Sequence, residues 1–218
     1  MFKKLMEIMR KGDLVDQAIQ ETEAMFTDAQ SVFEEAILTL REKREAKFDI
    51  YERDRKINNA EKSIRRKLLE NMAINPRQDI AASLVLTSVI IDIERIGDYS
   101  KNIYELNNLC KSKRTIIDAA LMKQADFLLT QFGVTGKAFG AGNQTKGKAL
   151  MDELDPIRKN FDKYICELVN QENITVESAV VNTLFARYLK RVGAHLENVA
   201  SSIVNPFDRI GFYKKEDI

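Results

Sequence analysis

Between Asp13 and Arg44 the apolar residues Leu14, Val15, Ala18, Ile19, Met25, Phe26, Ala29, Val32, Phe33, Ala36, Ile37 and Leu40 recur every three or four positions. This is the spacing of one face of a long amphipathic helix, and Gly12-Asp13 supplies its start signal. From near Phe48 to Met72, Ile50, Ile57, Ala60, Ile64, Leu68 and Leu69 mark a second helix whose other faces carry alternating charges, so the two pair as a helical hairpin. Asn75-Pro76 reads as a cap and first-turn proline for a third helix running through Leu106. Its β-branched middle would suit a strand by composition. Its length and the helical spacing of its polar residues favour a helix.

After a linker at 107–114 the pattern restarts. Ile116, Ile117, Ala120, Leu128, Leu129 and Phe132 predict a fourth helix, and further helices are expected over Leu150–Val169 and from Thr175 to Ile203. Five of the nine glycines, Gly133, Gly136, Gly140, Gly142 and Gly147, fall between Gln131 and Lys148. Because an interior glycine costs a helix about 1 kcal/mol relative to alanine, this stretch is the weakest helical prediction in the chain and reads as a helix end and loop. Pro206 stops the last helix, and 205–218 reads as a loose tail.

The halves resemble each other. Ile93-Glu94-Arg95-Ile96-Gly97-Asp98-Tyr99-Ser100-Lys101-Asn102-Ile103 recurs 96 residues later as Leu189-Lys190-Arg191-Val192-Gly193-Ala194-His195-Leu196-Glu197-Asn198-Val199. Arg, Gly and Asn repeat identically and the apolar positions repeat in kind, which predicts an all-α chain of two tandem three-helix units, 1–106 and 115–204. A glycine in mid-helix at the same place in both units, Gly97 and Gly193, implies a close approach of another helix or a ligand.

Composition narrows the function. With 34 Lys and Arg against 33 Asp and Glu the net charge is +1, so no bulk field draws the chain to nucleic acid or anionic lipid. Cys110 and Cys166 lack the spacing of a zinc site or redox dithiol, and one histidine accompanies them; buried structural thiols in a reducing compartment are expected. The start, Met1 to Lys11, has no continuous apolar run, which argues against a signal peptide. It places Phe2, Leu5, Met6 and Met9 beside Lys3, Lys4, Arg10 and Lys11, a basic amphipathic segment expected to fold back on the first bundle or to touch a membrane surface or partner. The longest mainly apolar run, Ile80 to Ile93, is too short for a bilayer that needs about 20 residues. A cytoplasmic protein is expected.

The chemistry concentrates in acids. Glu94, Asp98 and Glu105 share one face of the third helix with Asn102 at its edge, and Asp54, Asn58 and Glu61 repeat the arrangement on the second. Two such stripes on adjacent helices offer hard oxygen ligands, while the blander alternative is a pair of solvated faces. A di-iron oxidase would need Glu-x-x-His on facing helices; His195 is the only histidine and has Val192 three residues before it, so it is expected at a helix surface or interface. No nucleophile–base pair, phosphate-binding glycine loop or histidine pair appears, so no catalytic activity is expected.

The run Glu94-Arg95-Ile96-Gly97-Asp98 followed by Asn102-Ile103 and Glu105 resembles the signature of the PhoU family of phosphate-uptake regulators, which occurs once per three-helix repeat. The resemblance covers essentially Asp13 to Ile203. It implies two three-helix bundles side by side, with a metal ion such as Mg, Mn, Fe or Zn at Glu94 and Asp98, faced by Asp54, Asn58 and Glu61. It also implies a cytoplasmic homodimer, peripheral to the membrane through its partners, that negatively regulates phosphate uptake by linking a phosphate ABC transporter to a sensor histidine kinase. An accessory role for a phosphate permease or Na/phosphate cotransporter is the alternative. The second repeat departs from the signature: Lys190 replaces the glutamate, Ala194 the aspartate, and Arg158 stands at the place of Asn58. It is therefore not expected to bind metal. Lys190 and Arg158 are expected to pair with Glu153, Asp155 and Glu197, or else to hold an anion such as phosphate.

Overall fold

Each apolar stripe lies on an α-helix. The computed structural model describes residues 13–74, 80–110 and 116–211. Among these the elements run α1 (Asp13–Glu42), α2 (Ile50–Ile74), α3 (Ile80–Glu105), α4 (Ala119–Ala141), α5 (Gln144–Val169) and α6 (Val176–Val204), with single 3-10 turns at Leu106–Asn108 and Phe207–Arg209 and no strand. The fold is all-α. Gly12, the 75–76 cap and the basic segment 1–11 lie outside the described residues, as do 111–115 and the aromatics Phe212 and Tyr213 of the tail.

Helices α1, α2 and α3 pack together, as do α5 and α6 with α4, while α3 against α6 and α1 against α4 join the halves. The seam is apolar: Phe132 of α4 meets Phe26 of α1 edge-on with ring centroids 4.8 Å apart and lies 6.0 Å from Phe33. One hydrophobic core therefore runs through both halves. Helix starts in the second half are capped as their residues dictate, with Asp118, Asn143 and Thr175 accepting from the backbone N–H groups of Ala120, Lys146 and Ser178.

The glycine-bearing stretch corrects the expectation of a loop. Helix α4 continues to Ala141, and only Gly142, with φ 58°, takes the left-handed conformation that ends it before α5 starts at Gln144. Gly133, Gly136 and Gly140 instead form a stripe facing Gln30, Phe26 and Glu23 of α1, and a Cβ on Gly136 would come 2.8 Å from the Phe26 ring. The absent side chains let α4 approach α1 closely, and the packing gained offsets the helical cost. The cysteines also differ from expectation, since Cys166 is exposed and Cys110 only half-buried. The described tail is not loose: the Gly211 N–H donates to Ser201 Oγ at 3.2 Å, which folds the chain back along α6.

Helices α3 and α6 run antiparallel and place the two signatures against each other. Tyr99 and His195, equivalent residues of the two repeats, stack with centroids 5.8 Å apart. On either side, Tyr99 faces Tyr188 at 6.2 Å while His195 Nδ1 lies 2.7 Å from Asp92 Oδ1. Since Asp92 and Tyr188 are themselves equivalent positions, the halves meet about an approximate twofold axis. Gly97 and Gly193 break this equivalence. Gly97 is approached by Ile57 of α2 at 3.2 Å, Gly193 by Leu128 of α4 at 3.4 Å. Both approaches come from helices rather than leaving room for a ligand.

Candidate functional site

Four carboxylates of α2 and α3 gather on one side of the first bundle. Asp54 is buried because Ile50, Ile57 and Ile64 pin its face of α2 inward. From α3, Lys101 Nζ reaches across to Asp54 Oδ2 at 2.8 Å and back to Asp98 Oδ1 at 3.2 Å. Arg95 lies 3.2 Å from Asp98 and 3.5 Å from Glu94, and Arg65 pairs with Glu61 at 2.6 Å. Two acceptors in this group, Asp54 Oδ1 and Asn58 Oδ1, are buried without a hydrogen-bond partner. Burial raises the pKa of Glu94, and the charges of Asp98, Glu61 and Asp54 raise it further against the pull of Arg95. Burial works against the Lys101 ammonium as well, but the hydrogen bonds and charges of Asp54 and Asp98 outweigh it and hold its pKa above the usual lysine value.

The sequence places Glu94, Asp98, Asp54 and Glu61 correctly as neighbours. Glu105 lies apart from them, accepting from the Tyr51 hydroxyl at 3.2 Å, and Asn102 is half-buried at the edge of the face. Hard oxygen donors with two unpartnered acceptors suit a cation in their chemistry. Their arrangement is drawn in around Lys101, however, and among the described residues no three His, Cys, Asp or Glu side chains are placed to hold a metal ion.

The equivalent face of the second bundle is built differently. Aligning Ile57 with Ile157 puts the fully buried Leu154 and Phe161 where the first half has Asp54 and Glu61. Arg158 lies 2.9 Å from Asp155 and 3.2 Å from Glu197, as expected from the sequence. Lys190 pairs with Asp162 at 2.5 Å, not with any of the acids expected for it, because Asp162 is the acid that α5 presents opposite it. Glu153 accepts from Gln131 Nε2 at 2.9 Å. Both cations are engaged by carboxylates, so no vacant anion site exists at Lys190 and Arg158. Burial pushes the Glu197 carboxyl up to about 7, since desolvation and nearby Asp155 outweigh the attraction of Arg158.

One polar cluster was not read from the sequence. Asp92 Oδ1 receives both His195 Nδ1 and, at 2.9 Å, the Asn198 amide, so one buried oxygen of α3 ties down two residues of α6. Arg191 donates to the Tyr99 hydroxyl at 3.1 Å and lies over its ring. Asp92 had drawn notice only as a polar interruption of an apolar run. An acid in such a run, one repeat away from the chain's only histidine, was the available signal.

Comparison with known proteins bears on both halves. Residues 15–106 match the PhoU domain. A Thermotoga maritima protein named phosphate-specific transport system accessory protein PhoU homolog 1 is 31% identical over 119 residues, which cover 52% of this chain and 51% of that one. The chain belongs to the PhoU family. Its match to the T. maritima relative spans about half of that protein's length. The whole fold is shared with crystal structures of PhoU from Streptococcus pneumoniae, at a TM-score of 0.77 and 15% identity, and from Pseudomonas aeruginosa, at 0.68 and 17%. Each alignment covers 93% of this chain and 97% of the other. The PhoU domain match ends at 106, so it contains the acid cluster on α2 and α3 and excludes the half in which Lys190, Ala194 and Arg158 replace the signature residues.

Proposed function

We propose that the chain is a non-catalytic cytoplasmic regulator that restrains phosphate uptake by docking, as a homodimer, on a phosphate transporter and its sensor kinase. The observation that carries this reading is the duplicated signature on helices α3 and α6, set in a fold shared end to end with PhoU proteins. The T. maritima relative, named an accessory protein of a phosphate-specific transport system, supports the transporter as partner. Among the described residues no helix is long and apolar enough to cross a membrane, so contact with a transporter would be made from its face. Deleting the chain from its host should derepress phosphate-uptake genes in phosphate-replete medium, and unchanged transcription and uptake in both replete and starved cells would refute the role.

A cation at the first-bundle acids belongs to the same proposal. Asp54, Glu94 and Asp98, with Asn58 and Glu61, would hold Mg, Mn, Fe or Zn, and the ion would supply the positive charge that fixes α2 against α3. Elemental analysis and calorimetry should find such an ion, and Glu94→Gln with Asp98→Asn should abolish its binding. Metal retained by that double variant would place the site elsewhere.

A further inference from the structure

We propose that Lys101 is a tethered counter-ion that competes with the metal ion for the first-bundle acids and so sets the affinity of the site. The proposal rests on the metal-binding reading above and concerns how that binding is controlled. Lys101 Nζ bridges Asp54 and Asp98, the one cross-helix and the other on its own helix. A single ammonium satisfies only one oxygen of each. It leaves Asp54 Oδ1 and Asn58 Oδ1 buried and unpartnered, although the Asp54 residue is only 6% exposed. A divalent ion carries twice the charge and accepts six or more oxygens, so it would engage the acceptors that the ammonium does not reach.

The second bundle shows that this position is a counter-ion position. There Glu197 occupies the place of Lys101, and the cation comes from the facing helix as Arg158, 3.2 Å away. The sign at the α3 or α6 position is thus opposite to the charge that its facing helix presents. Lys101 is also suited to leave: its side chain is 22% exposed, and its flexible four-carbon stem allows the head group to turn into solvent, which a two-pronged guanidinium held by both acids would resist. Exchange between ammonium and metal would give the protein two neutralised forms of one site, selected by the concentration of divalent cation.

The test compares Mn²⁺ binding, by calorimetry and by the electron paramagnetic resonance of free Mn²⁺, in the wild type, Lys101→Met and Lys101→Arg. Thermal unfolding with chelator and with Mn²⁺ is measured alongside. Removing the competing charge should tighten Mn²⁺ binding about tenfold or more in Lys101→Met, and its unfolding midpoint should fall in chelator and recover in Mn²⁺. Lys101→Arg keeps the charge and the fold, and should bind Mn²⁺ more weakly than the wild type even if the methionine variant fails to fold. Equal affinities in the wild type and the folded variants, with binding still abolished by Asp54→Asn, would overturn the competition while leaving the metal site intact. No Mn²⁺ binding by any of the proteins at millimolar concentration would overturn both the competition and the metal reading.

Discussion

The two bundles of this chain share a backbone plan and carry opposite signs. At the signature, Glu94 corresponds to Lys190 and Lys101 to Glu197; on the facing helices Asn58 corresponds to Arg158 and Lys62 to Asp162. The cross-helix pairs survive the exchange, since Lys101 binds Asp54 in one half and Glu197 lies by Arg158 in the other. What does not survive is the surplus of acid. The first bundle collects Asp54, Glu61, Glu94 and Asp98 in one place, whereas the second replaces two of these positions with the buried Leu154 and Phe161. A duplicated helical unit can therefore keep its packing while one copy holds an under-neutralised site and the other becomes ordinary core with a surface ion pair.

The hardest way to break that contrast is to place the second half's residue in the first. Lys101→Glu would leave Asp54 buried without its cation and add a fifth carboxylate to the group. Loss of one partner of a buried pair costs about 3–5 kcal/mol, and urea unfolding at neutral pH in chelator should show a loss in that range. A loss below about 1 kcal/mol, the scale of an exposed pair, would mean that the cluster is solvated and the contrast between the halves is one of sequence only.

The opposite site should respond to pH. The Glu197 carboxyl titrates near 7 in the folded chain against an ordinary value of 4.5, so the folded state binds its proton more tightly than the unfolded state does. Stability from this group is therefore fully present below about 4.5 and is lost as pH rises through 7, the reverse of a salt-bridged acid. Glu197→Gln should match the wild type near pH 4 and exceed it at pH 8 by about 3 kcal/mol, since each pKa unit is worth about 1.4 kcal/mol. Parallel stability curves for the two proteins between those pH values would show that Arg158 neutralises Glu197 in full.

The periodicity of apolar residues was enough to find all six helices, because burial of one face dictates a three- or four-residue spacing whatever the tertiary partner. It also brought Asp54 and Glu61 to Glu94 and Asp98, as facing stripes on a hairpin must. Periodicity could not show the contacts across the chain's halves. Lys190 pairs with Asp162 rather than Asp155 because of the register of α5 on α6, which no local pattern encodes. The junction of Asp92 with His195 and Asn198 likewise depends on the antiparallel seating of α3 on α6. Propensity misread the glycines of α4 for the same reason, since their cost is local and their compensation lies on α1.

That compensation can be measured within one stripe. Gly136→Ala would drive a Cβ to 2.8 Å from a Phe26 ring locked between the halves, and overpacking of this kind costs about 1–3 kcal/mol. Gly133→Ala meets only the Gln30 amide at 3.6 Å and should stabilise the chain by up to about 1 kcal/mol through helix propensity. Thermal unfolding of the two variants should move in opposite directions. Equal shifts would mean that the α1–α4 seam yields and that the glycines are not what sets its closeness.

The smallest expected difference lies at the signature glycines themselves. A Cβ on Gly193 would stand 3.4 Å from Leu128 Cδ2, an ordinary contact, so Gly193→Ala should gain stability by about 0.5–1 kcal/mol. On Gly97 it would stand 3.2 Å from Ile57 Cδ1, close enough that the methyl must move a few tenths of an ångström and cancel most of the same gain. Ile57 lies on α2 between Asp54 and Asn58, so whatever pushes it also pushes the two residues whose oxygens lack partners. Gly97→Ala should therefore weaken Mn²⁺ binding while leaving unfolding nearly unchanged, and Gly193→Ala should do the reverse. If both variants gain equally and bind Mn²⁺ alike, the repeated glycine serves packing in both halves and owes nothing to the acid site beside it.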